Sequence, residues 1–212
     1  MTPAPPTPTS SQGEATRTDG LRDRSKSSRA KIVAAMLDLV ERGDVSPSAA
    51  RVADHAGVGL RTVFRHFDDM DSLYREMSEV IEARVAPMLA RPFGSDGWQD
   101  RMVELASRRP EIFEAILPFR ISANLKRYQS AFLMADYVRL LKMERLLIEV
   151  HLPDIVKADV TGVESLHVAL SFQSWRLLRH DQQLPADKAQ AVVRRMIDSI
   201  IATLPGGSAS AA

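Results

Sequence analysis

The stretch Leu60 to Phe67 reads Leu-Arg-Thr-Val-Phe-Arg-His-Phe. It sets two guanidinium groups, a hydroxyl, an imidazole and an aromatic edge within about two helical turns. These are groups that read a nucleic-acid duplex. Arginine pairs with guanine or phosphate, threonine meets a phosphate or a thymine methyl, and an aromatic edge packs on sugar and base. Val63 and Phe67 are spaced to supply the side such a helix buries. Leu60, Arg61, Thr62, Phe64, Arg65 and His66 are left to face outward or sideways. Arg65 is equally accounted for as a solvent-facing residue, and His66 as one hydrogen-bonded within its own domain.

The other chemistry-bearing residues form no second constellation. Of the five histidines, only His167 stands at i,i+3 from a glutamate in a way that resembles half of a di-iron helix motif, through Glu164. That site needs a second such pair and further carboxylates on facing helices. No second pair exists, so no metal is expected. No glycine-rich phosphate loop and no nucleophile with a paired base stand out, so neither enzyme activity nor a cofactor is expected. Cysteine is absent, which removes disulfides and thiolate chemistry. The net charge of +1 decides little, but its distribution is uneven. Arg17, Arg22, Arg24, Lys26, Arg29 and Lys31 face only Asp19 and Asp23 across the same stretch. A phosphate backbone could be held there, with Lys26 as a contact. On charge alone a solvated tail before a helix explains it as well.

Helices must position these groups. Residues 1–20 are polar and rich in Pro, Thr and Ser, which predicts a disordered tail. Ile32, Val33, Met36, Leu37, Leu39 and Val40 then form a helical stripe that Gly43 stops. A short helix is expected from Ser48 to His55, capped either by Ser46 with Pro47 in the first turn or by Ser48. Gly57-Val58-Gly59 makes a turn, and Leu60 to Phe67 a third helix. Asp69 caps a fourth, which carries Leu73, Met77, Val80 and Ile81. Prolines and glycines from Pro87 to Gly97 mark a linker. Beyond it the pattern predicts helices at Trp98–Arg108, from Pro110 to Leu117 with Pro118 ending or kinking it, at Ser130–His151, at Gly162–His180 and at Ala186–Leu204. No strand pattern and no repeat occur. The expected fold is all-α with about nine helices.

The order Ala-x-x-Ala-Gly-Val at Ala53 to Val58, the string Thr62 to Phe67, the Asp-rich start of the next helix and Leu73 together resemble the TetR (tetracycline-repressor-like) regulators. The stretch Ser171 to Arg179 is similar to late helices of that family. The resemblance implies a helix-turn-helix DNA-binding domain at 21–68, a ligand-binding and dimerisation domain at 69–204, and a flexible tail at 205–212. It implies a homodimer on a near-palindromic double-stranded operator, acting as a repressor released by a small-molecule effector. A helical sensor or protein-interaction module without specific DNA binding is the alternative. The implied DNA contacts are Ser48, Leu60, Arg61, Thr62, Phe64 and His66, with Arg65 in addition. Phe64 stands where the family has tyrosine, and Met70 where it has a phosphate-gripping lysine. The phosphate clamp is then either weaker or moved to Lys26 and the Arg-rich arm.

In the larger domain Phe113, Ile116, Phe119, Tyr137, Leu140, Leu141, Phe172 and Trp175 are core by default, and the resemblance implies that some line a ligand cavity. The apolar stripe of the last helix is broader than one internal contact needs. It nominates Val193, Ile197 and Ile200 for a two-fold interface. No signal-peptide pattern and no apolar run of membrane-spanning length occur, so a cytoplasmic protein without a membrane partner is expected.

Overall fold

The computed structural model describes the backbone of residues 12–206 and the side chains of residues 26–206. Among the described residues there are ten α-helices and no strand. None of these helices is long and apolar enough to cross a membrane. The chain divides into two compact units after Leu73, inside the fourth helix, whereas the sequence placed the division after residue 68.

The first unit holds α1 (Gln12–Glu41), α2 (Ala49–His55), α3 (Leu60–His66) and the first turn of α4 (Met70–Leu89). Helix α1 starts within the segment expected to be disordered, of which residues 1–11 lie outside the described residues. Once a helix exists, extending it needs no new nucleus, so a polar sequence can carry it on. The expected stripe of α1 is buried, with Ile32, Met36 and Val40 at 0% exposure. Gly43 ends it with φ +94°. The Gly43 and Asp44 amides donate back to the Val40 and Leu39 carbonyls, which satisfies the last turn.

The second unit contains the rest of α4, α5 (Trp98–Lys126), α6 (Ala131–Glu149), α7 (Asp154–Lys157), α8 (Val160–Ala169), α9 (Phe172–Arg176) and α10 (Ala186–Thr203). A 3-10 turn joins α5 to α6, and a π turn at Leu177–Asp181 follows α9. Helix α10 packs on α5 and α8, and α6 packs on the same two helices.

Three expectations are corrected here. The segment from Trp98 is one helix, not two broken by prolines, and Pro110 and Pro118 both lie inside it. An interior proline costs about 3 kcal/mol. Each buried Phe or Ile side chain returns about 1.5–3 kcal/mol, and Ile112, Phe113, Ile116 and Phe119 are all buried around the prolines. Conversely, the expected helix Gly162–His180 is broken at Leu170. The Ser171 hydroxyl accepts the Ser174 amide and so caps a new helix, which turns Phe172 and Trp175 into the core at 0% and 1% exposure. Finally, Val193 and Ile197 lie in the interior of the chain, 5% and 0% exposed, and Ile200 is half-buried. Helix α10 packs on α5 and α8, and the burial of Val193 and Ile197 leaves those two no surface for a partner.

One-turn α7 has too few residues for a periodic pattern. Pro205 and Gly206 belong to the expected flexible tail, where the Gly206 carbonyl accepts from Gln99 Nε2 at 2.6 Å. The remainder of that tail lies outside the described residues.

Candidate functional site

Two places gather the predicted residues. The first is α2, its turn and α3. Ser48 is the cap of α2, since its Oγ accepts the Arg51 amide at 3.3 Å. Gly57 has φ +65°, a left-handed conformation that a side chain would strain. The Gly57 amide donates to Asp54 and the Val58 amide to Ala53, each at 3.0 Å, so α2 stops and the chain reverses toward α3. Ala53, 3% exposed, is small where the helices cross. Val63 and Phe67 bury the inner side of α3 at 1% and 2% exposure.

The outer side is open. Leu60 is 44% and Phe64 51% exposed, and Arg61 and Arg65 are exposed as well. Among the described residues neither arginine has an ion-pair partner. Thr62 and His66 are half-buried. Ser48 and Lys26 are exposed, the latter on α1. Arg29, which the sequence grouped with the basic arm, does something else. Its guanidinium donates to the His66 carbonyl and stacks 4.4 Å over the Phe67 ring, which pins the end of α3 to α1. Asp38 of α1 meets His55 Nε2 of α2 at 2.5 Å, and Arg42 sits on the same carboxylate. Those two partners, His55 first, hold the Asp38 carboxyl below its ordinary range. Met70, where a lysine was missed, opens α4 half-buried beside Asp69, whose Oδ1 accepts the Ser72 amide at 2.8 Å.

The second place is a cavity of about 280 Å³ in the second unit, walled by α4, α5 and α6. Of the eight residues nominated, Phe113, Ile116, Phe119, Tyr137 and Leu140 line it. Leu141 lines a separate, open hollow with Val168 and Leu177. Phe172 and Trp175 are packed in the core behind, Phe172 edge-on to Phe113 at 5.6 Å. Trp175 Nε1 and Arg179 both donate to the Glu114 carboxylate, and Arg179 above all lowers its pKa.

Sequence reasoning missed the charged part of this cavity. Arg109 and Arg120 line it and are buried at 6% and 9% exposure. Arg109 donates to the main-chain carbonyls of Leu170 and Glu144. Burial pulls its pKa down to about 10, which the Glu144 charge opposes. Arg120 Nη1 meets Glu144 Oε1 at 3.2 Å, and its guanidinium lies 4.4 Å over the Phe172 ring. Glu144 Oε2 accepts the Phe172 amide at 3.2 Å. The signal was in the sequence: 109, 113, 116 and 120 fall on one helical face, so two arginines interrupt an apolar stripe. Met77, Ile81 and Val85 of α4 complete the apolar wall. Among the described residues no group of three or more His, Asp or Glu is arranged to hold a metal ion.

No family model matches the sequence. No curated protein matches it either. Among solved structures, a transcriptional regulator from Rhodococcus sp. Rha1 is similar in fold, with a TM-score of 0.64 at 16% identity. The likeness covers 83% of this chain and 97% of that one.

Proposed function

We propose that this chain is a DNA-binding transcriptional regulator of the TetR type, a homodimeric repressor that a small molecule releases from its operator. The observation that carries the reading is α3. It is a short helix braced by α1 and α2 that holds Arg61, Phe64 and Arg65 out to solvent, with both guanidinium groups unpaired among the described residues. In a helix-turn-helix such a helix enters the major groove while the preceding helix crosses the backbone. The shared fold of the Rhodococcus regulator supports the same reading.

The cavity supports the sensor half. Its wall is chiefly aliphatic and aromatic, with a few placed polar groups, as in small-molecule sites. Helix α4 contributes Met77, Ile81 and Val85 to that wall and begins three residues after Phe67. A ligand that prefers one placement of α4 would shift the DNA-reading unit with it. The shift can be no larger than the ligand's affinity difference between the two states. For dimerisation, Val168 and Leu177 are 60% and 46% exposed beside Leu141 and offer an apolar surface.

Fluorescence anisotropy with a selected near-palindromic duplex and a random one, each across a salt series, tests the proposal. The selected duplex should bind at least 1,000-fold more tightly, roughly the lower bound for specific regulators, and log affinity should fall, for each tenfold rise in salt, by about 0.9 per phosphate contacted. Equal affinity for both duplexes would leave a sensor or interaction module in place of a specific regulator.

A further inference from the structure

The cavity contains a charge imbalance. Arg109 and Arg120 are both buried in its wall, and one carboxylate, that of Glu144, faces them. That carboxylate is already shared between Arg120 Nη1 and the Phe172 amide. Arg109 is bonded to two neutral carbonyls, one from each terminal nitrogen, and these do not offset its charge. Arg120 Nη2 is buried and has no hydrogen-bond partner. The remaining acids of the wall, Glu82 and Asp136, are both held by Arg139. Asp136 stands eight residues before Glu144 on α6, about 12 Å away along the axis. The acidic and basic groups therefore occupy different stretches of the cavity.

A buried donor without an acceptor is costly, and so is a buried cation without a counter-charge. Arg120 lacks an acceptor for Nη2 but has Glu144 as its counter-charge, whereas Arg109 has carbonyl acceptors and no carboxylate of its own. One added carboxylate at this stretch of wall would supply both the missing acceptor and the second negative charge. Much of the same wall is apolar: Phe113, Ile116, Phe119 and Leu140 on α5 and α6, and Ile81 on α4. The body of the ligand must match that surface. We infer that the cavity takes an apolar molecule ending in a carboxylate, and that Arg120, which shares the wall with Arg109, receives the carboxylate by turning its buried guanidinium edge toward the bound molecule. The inference rests on the cavity being the effector site proposed above.

The test is calorimetric titration of the full chain at about pH 7 with four probes of one chain length: decanoate, methyl decanoate, decanol and decylamine. Decanoate should bind about 10- to 100-fold more tightly than the ester and the alcohol, the range for a hydrogen bond to a charged group. Arg120→Met should abolish that preference, bringing decanoate to or below the level of decanol. Arg120→Lys keeps the charge but loses the fork, and should retain only part of the preference. It also serves where the methionine variant fails to fold. Equal binding of all probes, or an unchanged preference in both variants, would overturn the carboxylate assignment while the cavity stands as a ligand site. Tightest binding of decylamine would move recognition to Glu82 and Asp136 and overturn it likewise. Binding of none of the four would overturn the effector-site reading itself, and the inference with it.

Discussion

Glu144 is the residue on which the second unit's buried charge depends, and Glu144→Ala should destabilise that unit severely. The substitution removes the acceptor of Arg120 Nη1 and of the Phe172 amide at once. Arg120 is 9% exposed, so the low-dielectric surroundings screen the stranded charge poorly. Breaking a buried pair by removing one partner costs about 3–5 kcal/mol. At about 2–4 °C per kcal/mol for a unit of this size, the melting point should fall by about 6–20 °C. Tryptophan emission isolates the effect, because Trp98 and Trp175 are the protein's two tryptophans and both belong to the second unit. The double variant Glu144→Ala/Arg120→Met should recover much of the loss, since it takes away the stranded charge as well. A loss below about 1 kcal/mol in the single variant would refute the reasoning. So would a double variant that melts below the single one.

On DNA, Arg61→Ala should relax preference at one base position at a cost of about 1–3 kcal/mol, while Lys26→Ala weakens all sequences alike; binding-site selection on each variant separates the two roles. Glutamate at both Val193 and Ile197 should unfold the second unit, because both are interior, whereas glutamate at both Val168 and Leu177 should prevent the proposed dimer from forming and leave the fold intact. Circular dichroism with sedimentation checks both, and a folded monomer from the first pair would contradict the burial. Glu114 titrates below its ordinary 4.5, owing first to Arg179 and then to Trp175. Its contribution is therefore fully present above about pH 4.5 and is lost as the pH falls through the lower folded value. Glu114→Gln should flatten acid unfolding below pH 4.5, followed at Trp175.

The parts of the fold written in local chemistry were legible. Gly43, Gly57 and Asp69 each mark a helix end by their own backbone or side-chain bonds, and each does so in the structure, while of the two caps open to α2 the structure takes Ser48 over Ser46. The parts decided by tertiary packing were not. Pro110 and Pro118 read as breaks because the sequence does not display the burial on either side that outweighs them. Ser171 read as an interior helical residue because a serine within an apolar stripe gives no sign that it caps. For the cavity, aromatic and aliphatic positions on α5 and α6 could be nominated, but Phe172 and Trp175 could not be told from wall residues before the break at Leu170 was known. Val193 and Ile197 failed as interface candidates for a related reason: a stripe shows that a helix buries a face and does not show against what.

Helices α2 and α3 have seven residues each. Isolated helices below about 12 residues are marginal in water, so neither would persist without Ile32, Met36 and Val40 of α1 behind it. In hydrogen exchange this predicts a single cooperative block. The amides of Val52, Ala56, Val63 and Phe67, all bonded within or at the ends of these helices, should share one protection free energy instead of fraying turn by turn. The surface that meets a partner would then be either fully formed or absent, with no half-ordered recognition helix at equilibrium.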